Sequence, residues 1–103
     1  MNSIEKENQL VCALVQASLG LITENIRVMI LDMRLSPAKV VFVLGRATQD
    51  DIEAVAEMMF ELEALVAPQD EFLREVVIDS SDDLSSYFSP LRGVRPVYCK
   101  REG

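Results

Sequence analysis

Two pairs of adjacent carboxylates, Asp50-Asp51 and Asp82-Asp83, are the residues of this sequence best suited to bind a hard cation. Neighbouring side chains on a helix point about 100° apart, because the helix has 3.6 residues per turn. Neither pair has the spacing or the loop glycine of a calcium-binding EF-hand. We therefore expect no metal at either pair. The first pair is predicted to begin a helix, and the second is predicted to lie in a solvated loop.

Three glutamates at intervals of four residues, Glu53, Glu57 and Glu61, share one face of the same predicted helix. General acid–base catalysis needs a carboxyl group whose pKa is shifted, usually by burial in a cleft, and nothing in the pattern places these side chains in one. The sequence contains no histidine, which excludes Ser-His-Asp and Cys-His catalysis. We expect this chain to be no enzyme and to need no cofactor.

The acidic charge is concentrated in the middle of the chain. The formal net charge is −7, but residues 50–83 contain twelve acidic groups and one basic group, a local balance of −11. Such a segment repels nucleic acid and anionic membranes, so we expect neither as a partner. Like charges four residues apart also weaken a helix by a few tenths of a kcal/mol, which favours a use for them. An acidic surface that binds a basic protein is the use we predict.

The predicted partner-binding residues are eight acids and two aromatic anchors. The acids are Asp50, Asp51, Glu53, Glu57, Glu61, Asp79, Asp82 and Asp83, and the anchors are Tyr87 and Phe88. Aromatic side chains in a polar loop are typical of binding hot spots. An alternative of equal weight is that Tyr87 and Phe88 fold back to cover an open edge of the core.

The two cysteines, Cys12 and Cys99, can form neither a disulfide scaffold nor a four-ligand zinc site. Reduced thiols are typical of the cytoplasm. The first seven residues mix acidic and basic groups and lack the layout of a signal peptide, and no apolar run is long enough to span a bilayer. We therefore expect a cytoplasmic protein.

Hydrophobic periodicity predicts six elements in the order α-β-β-α-β-β. They are a helix over 3–19, strands over 22–34 and 39–45, a helix that begins after its cap Thr48, and strands over 71–79 and 94–101. In the first strand, Ile26, Val28 and Ile30 are expected on one face. The second helix is expected to bury the stripe Ile52, Val55, Ala56, Met59, Leu62 and Val66, with Met58 outside it.

These elements predict a single α+β domain over residues 1–103, built as a two-layer sandwich. Two amphipathic helices on one face of a four-stranded sheet would enclose a core of this size. The second strand is apolar on both faces, which favours a central position. A helical connection from the second strand to the third would make the sheet mixed. Pro96 favours an edge position for the last strand. The pattern leaves the strand order open.

Three stretches resemble small bacterial immunity proteins that accompany polymorphic toxins, including those of contact-dependent growth inhibition systems. They are 19–27 (LGLITENIR) between the first helix and strand, 50–53 (DDIE) at the start of the second helix, and 97–102 (VYCKRE) near the end. The resemblance implies a protein that binds one cognate toxin in the cytoplasm and blocks its active site or substrate surface. Many such toxins are basic nucleases, which fits the acidic charge.

A small acidic secretion chaperone or adaptor is the alternative function. Such proteins also lack catalytic groups, but they usually dimerise through an apolar helix and expose hydrophobic grooves. The resemblance to immunity proteins leads us to expect a monomer when no partner is bound. The oligomeric state therefore discriminates between the two functions.

Overall fold

The computed structural model describes residues 3–34, 37–66, 71–88 and 93–100. The elements follow in the predicted order, and a 3-10 turn, Ser85–Phe88, precedes the last strand. The helices and strands are α1 (Ser3–Ser18), β1 (Ile26–Asp32), β2 (Ala38–Leu44), α2 (Gln49–Leu65), β3 (Phe72–Ile78) and β4 (Val94–Cys99). β1, β3 and β4 are shorter than predicted, whereas β2 has the predicted length and begins one residue earlier. The expected end of the last strand at Arg101 lies outside the described residues.

The four strands form one mixed sheet in the order β3-β2-β1-β4. β1 is antiparallel to both of its neighbours, whereas β2 and β3 are parallel and are connected through α2. The central position of β2 is confirmed, because β2 pairs with β1 on one side and with β3 on the other. The edge position of β4, expected from Pro96, is confirmed as well.

Both helices pack on the same face of the sheet, as predicted. Leu10 and Leu14 of α1 and Val55 and Leu62 of α2 belong to one buried cluster with the strand residues Met29, Leu31, Val40, Phe42 and Leu44. α1 ends where Gly20 adopts a φ of 78°, a left-handed conformation that favours glycine. The fold class predicted from the sequence is confirmed.

A bulge in β1 changes which residues share a face. The register with β2 shifts between Ile26 and Val28, so that Arg27 is an extra residue in β1. Ile26 consequently joins Met29 and Leu31 under the helices, while Val28 and Ile30 face the opposite side. The expectation that Ile26, Val28 and Ile30 share a face is therefore wrong, because strict alternation ignores the inserted residue.

The face of α2 that is buried also differs from the predicted stripe. Met58 is fully buried, whereas Ile52 is 50% exposed and Ala56 is exposed. The reason is Asp51, which points inward and is only 2% exposed. Residues 51, 55, 58 and 62 follow helical spacing and define the buried face. The helix is thus rotated so that Ile52 faces solvent.

A short segment covers part of the other face of the sheet. Val28, Ile30 and Val43 form a second buried cluster there, and Leu84 and Tyr87 pack against it. This segment adds a partial third layer to the predicted sandwich. Across the described residues, neither helix is both long and apolar enough to cross a membrane.

Candidate partner-binding surface

Four of the predicted acids lie together on the outer side of α2. Asp50, Glu53, Glu57 and Glu61 are all exposed and follow one another at intervals of three or four residues, and we call them the acidic row. Glu53 accepts a weak hydrogen bond from Gln49 at 3.2 Å. Within the described residues, Glu57 and Glu61 make no hydrogen bond or ion pair. These two carboxylates are therefore available to a partner.

A second row of α2, parallel to the first, is apolar and exposed. It consists of Ile52, Ala56 and Phe60, which also follow a four-residue spacing. Phe60 is 70% exposed, a large value for an aromatic side chain on an ordered helix. The sequence analysis did not single out Phe60. The signal that could have identified Phe60 is the position of a large apolar residue on α2 outside the predicted buried stripe.

The apolar row faces β3 across a shallow cleft. The cleft has a volume of about 310 Å³ and is lined by Ala56, Met59, Phe60, Glu63, Phe72 and Arg74. Val76 and Ile78, which follow Arg74 on the same face of β3, are also exposed, Ile78 by 55%. An apolar strip with acidic residues along one side therefore extends from α2 to the edge of the sheet.

Asp51 is not part of this surface, because its carboxylate is used inside the protein. It accepts hydrogen bonds from the Thr23 hydroxyl, from Asn25 Nδ2 at 2.8 Å, and from the backbone N–H of Thr48 at 2.9 Å. The Thr48 hydroxyl in turn accepts from the Asp51 N–H, which completes a capping box at the predicted cap Thr48. Burial raises the pKa of Asp51, but these hydrogen bonds outweigh it and hold the pKa well below its ordinary value.

The carboxylates of Asp79 and Asp83 are also used locally. Asp79 Oδ1 accepts from the Ser81 N–H at 2.9 Å, and Asp79 Oδ2 accepts from the Tyr87 hydroxyl at 2.6 Å. Hydrogen bonds from Ser81 and Tyr87 lower the pKa of Asp79 to about 2. Asp83 accepts from the Ser85 N–H at 2.9 Å. These acids stabilise a turn, and the turn positions Tyr87 against the sheet.

The buried Arg27 connects this turn to the sheet through a hydrogen bond. Its guanidinium Nη1 donates to the backbone carbonyl of Asp79 at 2.6 Å. The positive charge of Arg27 also contributes to the low pKa of Asp79. The bulge that contains Arg27 therefore connects the first strand to the end of β3.

The ten predicted residues thus do not form one surface. Asp50, Glu53, Glu57 and Glu61 lie on the helical side. Tyr87 packs against the opposite face of the sheet, which is the alternative that we predicted for it, whereas Phe88 beside it is 37% exposed. Asp82 is exposed in the turn. We leave Asp51 and Tyr87 out of the candidate surface, because one is buried and the other covers the core.

No cluster of three or more His, Cys, Asp or Glu side chains arranged to hold a metal ion occurs in residues 3–34, 37–66, 71–88 and 93–100. Cys12 and Cys99 are free and exposed. No buried side-chain nitrogen or oxygen atom of these residues lacks a hydrogen-bond partner. What remains distinctive is the exposed acidic and apolar surface of α2 and β3.

No family model and no curated protein matches the chain. The resemblance to immunity proteins therefore stays a prediction. A proposal about function must rest on the surface described above.

Proposed function

We propose that this chain is an immunity protein, which binds a cognate bacterial toxin in the cytoplasm and neutralises it. The observation that supports the proposal best is the pair of parallel rows on α2. One row presents four exposed carboxylates, and the other presents Phe60 and Ile52 to solvent beside them. A monomeric domain rarely exposes such a combination unless another protein covers it.

The chemistry of these rows indicates a basic protein partner. The carboxylates of Glu57 and Glu61 are exposed. Long-range electrostatic attraction by such groups accelerates association with a basic surface. Fast association suits an inhibitor that must capture a toxin before it acts. A nuclease is the toxin class we favour, because enzymes that bind phosphate backbones have basic active-site surfaces.

Phe60 supplies the apolar part of the proposed interface. Interfaces usually combine a central aromatic anchor with a polar rim, and the acidic row supplies such a rim here. The same exposed apolar strip also fits the alternative function, a secretion chaperone or adaptor. The two functions differ in their consequence: an immunity protein abolishes the activity of its partner, whereas a chaperone delivers the partner intact.

The test begins with the gene immediately upstream. We expect it to encode a large secreted protein with a small toxic C-terminal domain. That domain, expressed in bacteria, should stop growth, and co-expression of this chain should restore it. In solution the pure proteins should form a 1:1 complex in which the toxin is inactive. A complex that leaves the toxin fully active would support the chaperone function and overturn our proposal.

A further inference from the structure

The two edge strands of the sheet differ in how far they are protected. β4 contains Pro96, which has no N–H to donate, and its register with β1 shifts between Met29 and Ile30. β3 contains no proline and pairs with β2 in unbroken register over all seven residues. Natural sheets protect their edges with proline, bulges or inward charges, because a regular open edge accepts another strand. β4 has a proline and a register shift and β3 has neither, so β3 is the more open edge. Its charged residues are Arg74, on the helical face, and Glu75, which is paired with Lys39 at 2.8 Å.

The free hydrogen-bonding groups of β3 can be assigned. The Asp79 N–H donates to the Leu44 carbonyl at 2.8 Å, and Leu44 pairs with Ile78. Because alternate residues of a strand point to the same neighbour, the N–H and C=O groups of Arg74, Val76 and Ile78 point away from β2. Among the strands of the described chain, none lies on that side.

Apolar side chains are exposed beside this edge on both faces of the sheet, together with one charged residue on each face, Arg74 and Glu75. Val76 and Ile78 are exposed on the helical face, next to the apolar row of α2, and Leu73 is 52% exposed on the other face. A strand added at this edge would cover all three side chains. Without an added strand, these side chains stay exposed next to unpaired backbone groups, which makes the edge prone to aggregation.

The surrounding charge selects the occupant. Glu63 lines the cleft beside Arg74, the exposed Glu71 precedes β3, and the acidic row lies behind Phe60. A second copy of this chain would bring the same acids against them, which is unfavourable. A segment whose apolar residues are flanked by Lys or Arg would place basic groups beside these acids instead.

We propose that β3 binds an extended segment of the toxin as a fifth strand, in which Lys or Arg flank a short run of apolar residues. This inference rests on the proposed function and adds to it the place and form of contact. The backbone groups of Arg74, Val76 and Ile78 supply the hydrogen bonds, and the apolar strip accepts the side chains that face the helices.

The decisive variant is Val76→Pro. It removes an N–H that points away from β2, so the existing ladder loses no hydrogen bond, and proline is tolerated at such edge positions. We expect a cooperative thermal melt and a roughly tenfold or greater loss of affinity for the toxin domain, as for one or two lost hydrogen bonds. Val76→Thr keeps the N–H and the branched shape and should therefore lose clearly less. Equal losses in the two variants would overturn strand addition.

Amide hydrogen exchange supplies a readout that does not depend on substitutions. Binding of the toxin domain should slow exchange at Arg74, Val76 and Ile78. A synthetic seven-residue peptide with Val at its centre and Lys at both ends should produce the same protection at high concentration, and the matched peptide with Glu at both ends should not. Toxin binding without protection of these amides would overturn the inference and leave the proposed function intact.

The same experiments distinguish failure of the proposed function from failure of strand addition. If the toxin domain does not bind but the Val and Lys peptide protects the edge, the proposed function is wrong and the edge is still a docking site for basic extended segments. If neither binds, both proposals fall. Sedimentation of the free chain tests the remaining occupant: a dimer that Val76→Pro converts to a monomer would assign the edge to a second copy and overturn the proposal.

Discussion

The acids of α2 and those of the turn after β3 are used differently. On α2, the carboxylates of Glu57 and Glu61 are exposed and bind nothing within the described residues. In the turn, Asp79 accepts hydrogen bonds from Ser81 and Tyr87, and Asp83 accepts one from Ser85. Both groups belong to the same acidic segment of the sequence. The helical acids lie beside an exposed apolar row, and the turn acids lie beside Tyr87, which covers the sheet. Local charge density therefore does not reveal which carboxylates are available to a partner.

Asp51 is the extreme case of a carboxylate used inside the protein, so its removal should have the largest effect. Asp51→Ala leaves Thr23, Asn25 and Thr48 without their acceptor and removes the side-chain half of the capping box, although the Thr48 hydroxyl can still accept from the N–H of residue 51. We expect the free energy of unfolding to fall by about 3 kcal/mol, measured by urea denaturation. Asp50→Ala, at the exposed neighbour, should change it by at most about 0.5 kcal/mol. Equal effects at the two positions would contradict the assigned role of Asp51.

The same carboxylate predicts a pH dependence. The pKa of Asp51 is lowered in the folded protein from its ordinary value of 3.8. Its contribution to stability is therefore fully present above about pH 4 and is lost as the pH falls toward the lower folded value. Asp51→Asn should consequently be destabilised at neutral pH, and the difference from wild type should shrink below about pH 4. A constant difference from pH 6 to pH 2 would contradict this.

Phe60→Ser tests the apolar half of the proposed surface. Because Phe60 is 70% exposed, stability should change by no more than about 0.5 kcal/mol. Affinity for the toxin should fall by about 2 kcal/mol, or roughly 30-fold, as for an aromatic hot spot. Leu19→Ser is the matched control, since Leu19 is 71% exposed and lies beside Val97 and Tyr98 of β4. Calorimetry that gave both variants the same affinity would place the interface elsewhere.

Tyr87→Phe should have the smallest effect. It removes the hydroxyl that donates to Asp79 but keeps the ring that packs on Val28 and Val43. Since Ser81 and Tyr87 together hold the pKa of Asp79 at about 2, the variant should raise it toward 3.8, as followed by NMR titration. The fold and toxin binding should be retained. A large loss of toxin affinity would show that Tyr87 is an anchor after all.

Much of the fold could be predicted from the sequence because it depends on local patterns. Helical spacing placed Val55, Met59 and Leu62 of α2 in the core, Thr48 formed the expected cap, and the two-sided apolarity of β2 indicated a central strand. These features depend on neighbours within a few residues, or on the number of faces that a strand must bury.

The features that the sequence did not reveal depend on residues far apart in the chain. The inward rotation of Asp51 requires Thr23 and Asn25, which lie 28 and 26 residues away. It is this rotation that turns Ile52 toward solvent beside Phe60. The bulge at Arg27 and the cover by Tyr87 likewise need partners on other strands. No periodicity within a single element indicates such contacts.

The acidic row is the central element of the proposed function, and charge reversal tests it directly. The variant Glu53→Lys, Glu57→Lys and Glu61→Lys is compared with Asp82→Lys and Asp83→Lys, after a cooperative melt has confirmed folding of both. The measurement is the association rate with the toxin domain at low and moderate salt.

We predict that the helical variant associates about tenfold or more slowly than wild type at low salt and loses the salt dependence. The turn variant should associate at nearly the wild-type rate. If instead the helical variant associates as fast as wild type at both salt concentrations, the acidic row does not attract the partner and the proposed interface is wrong.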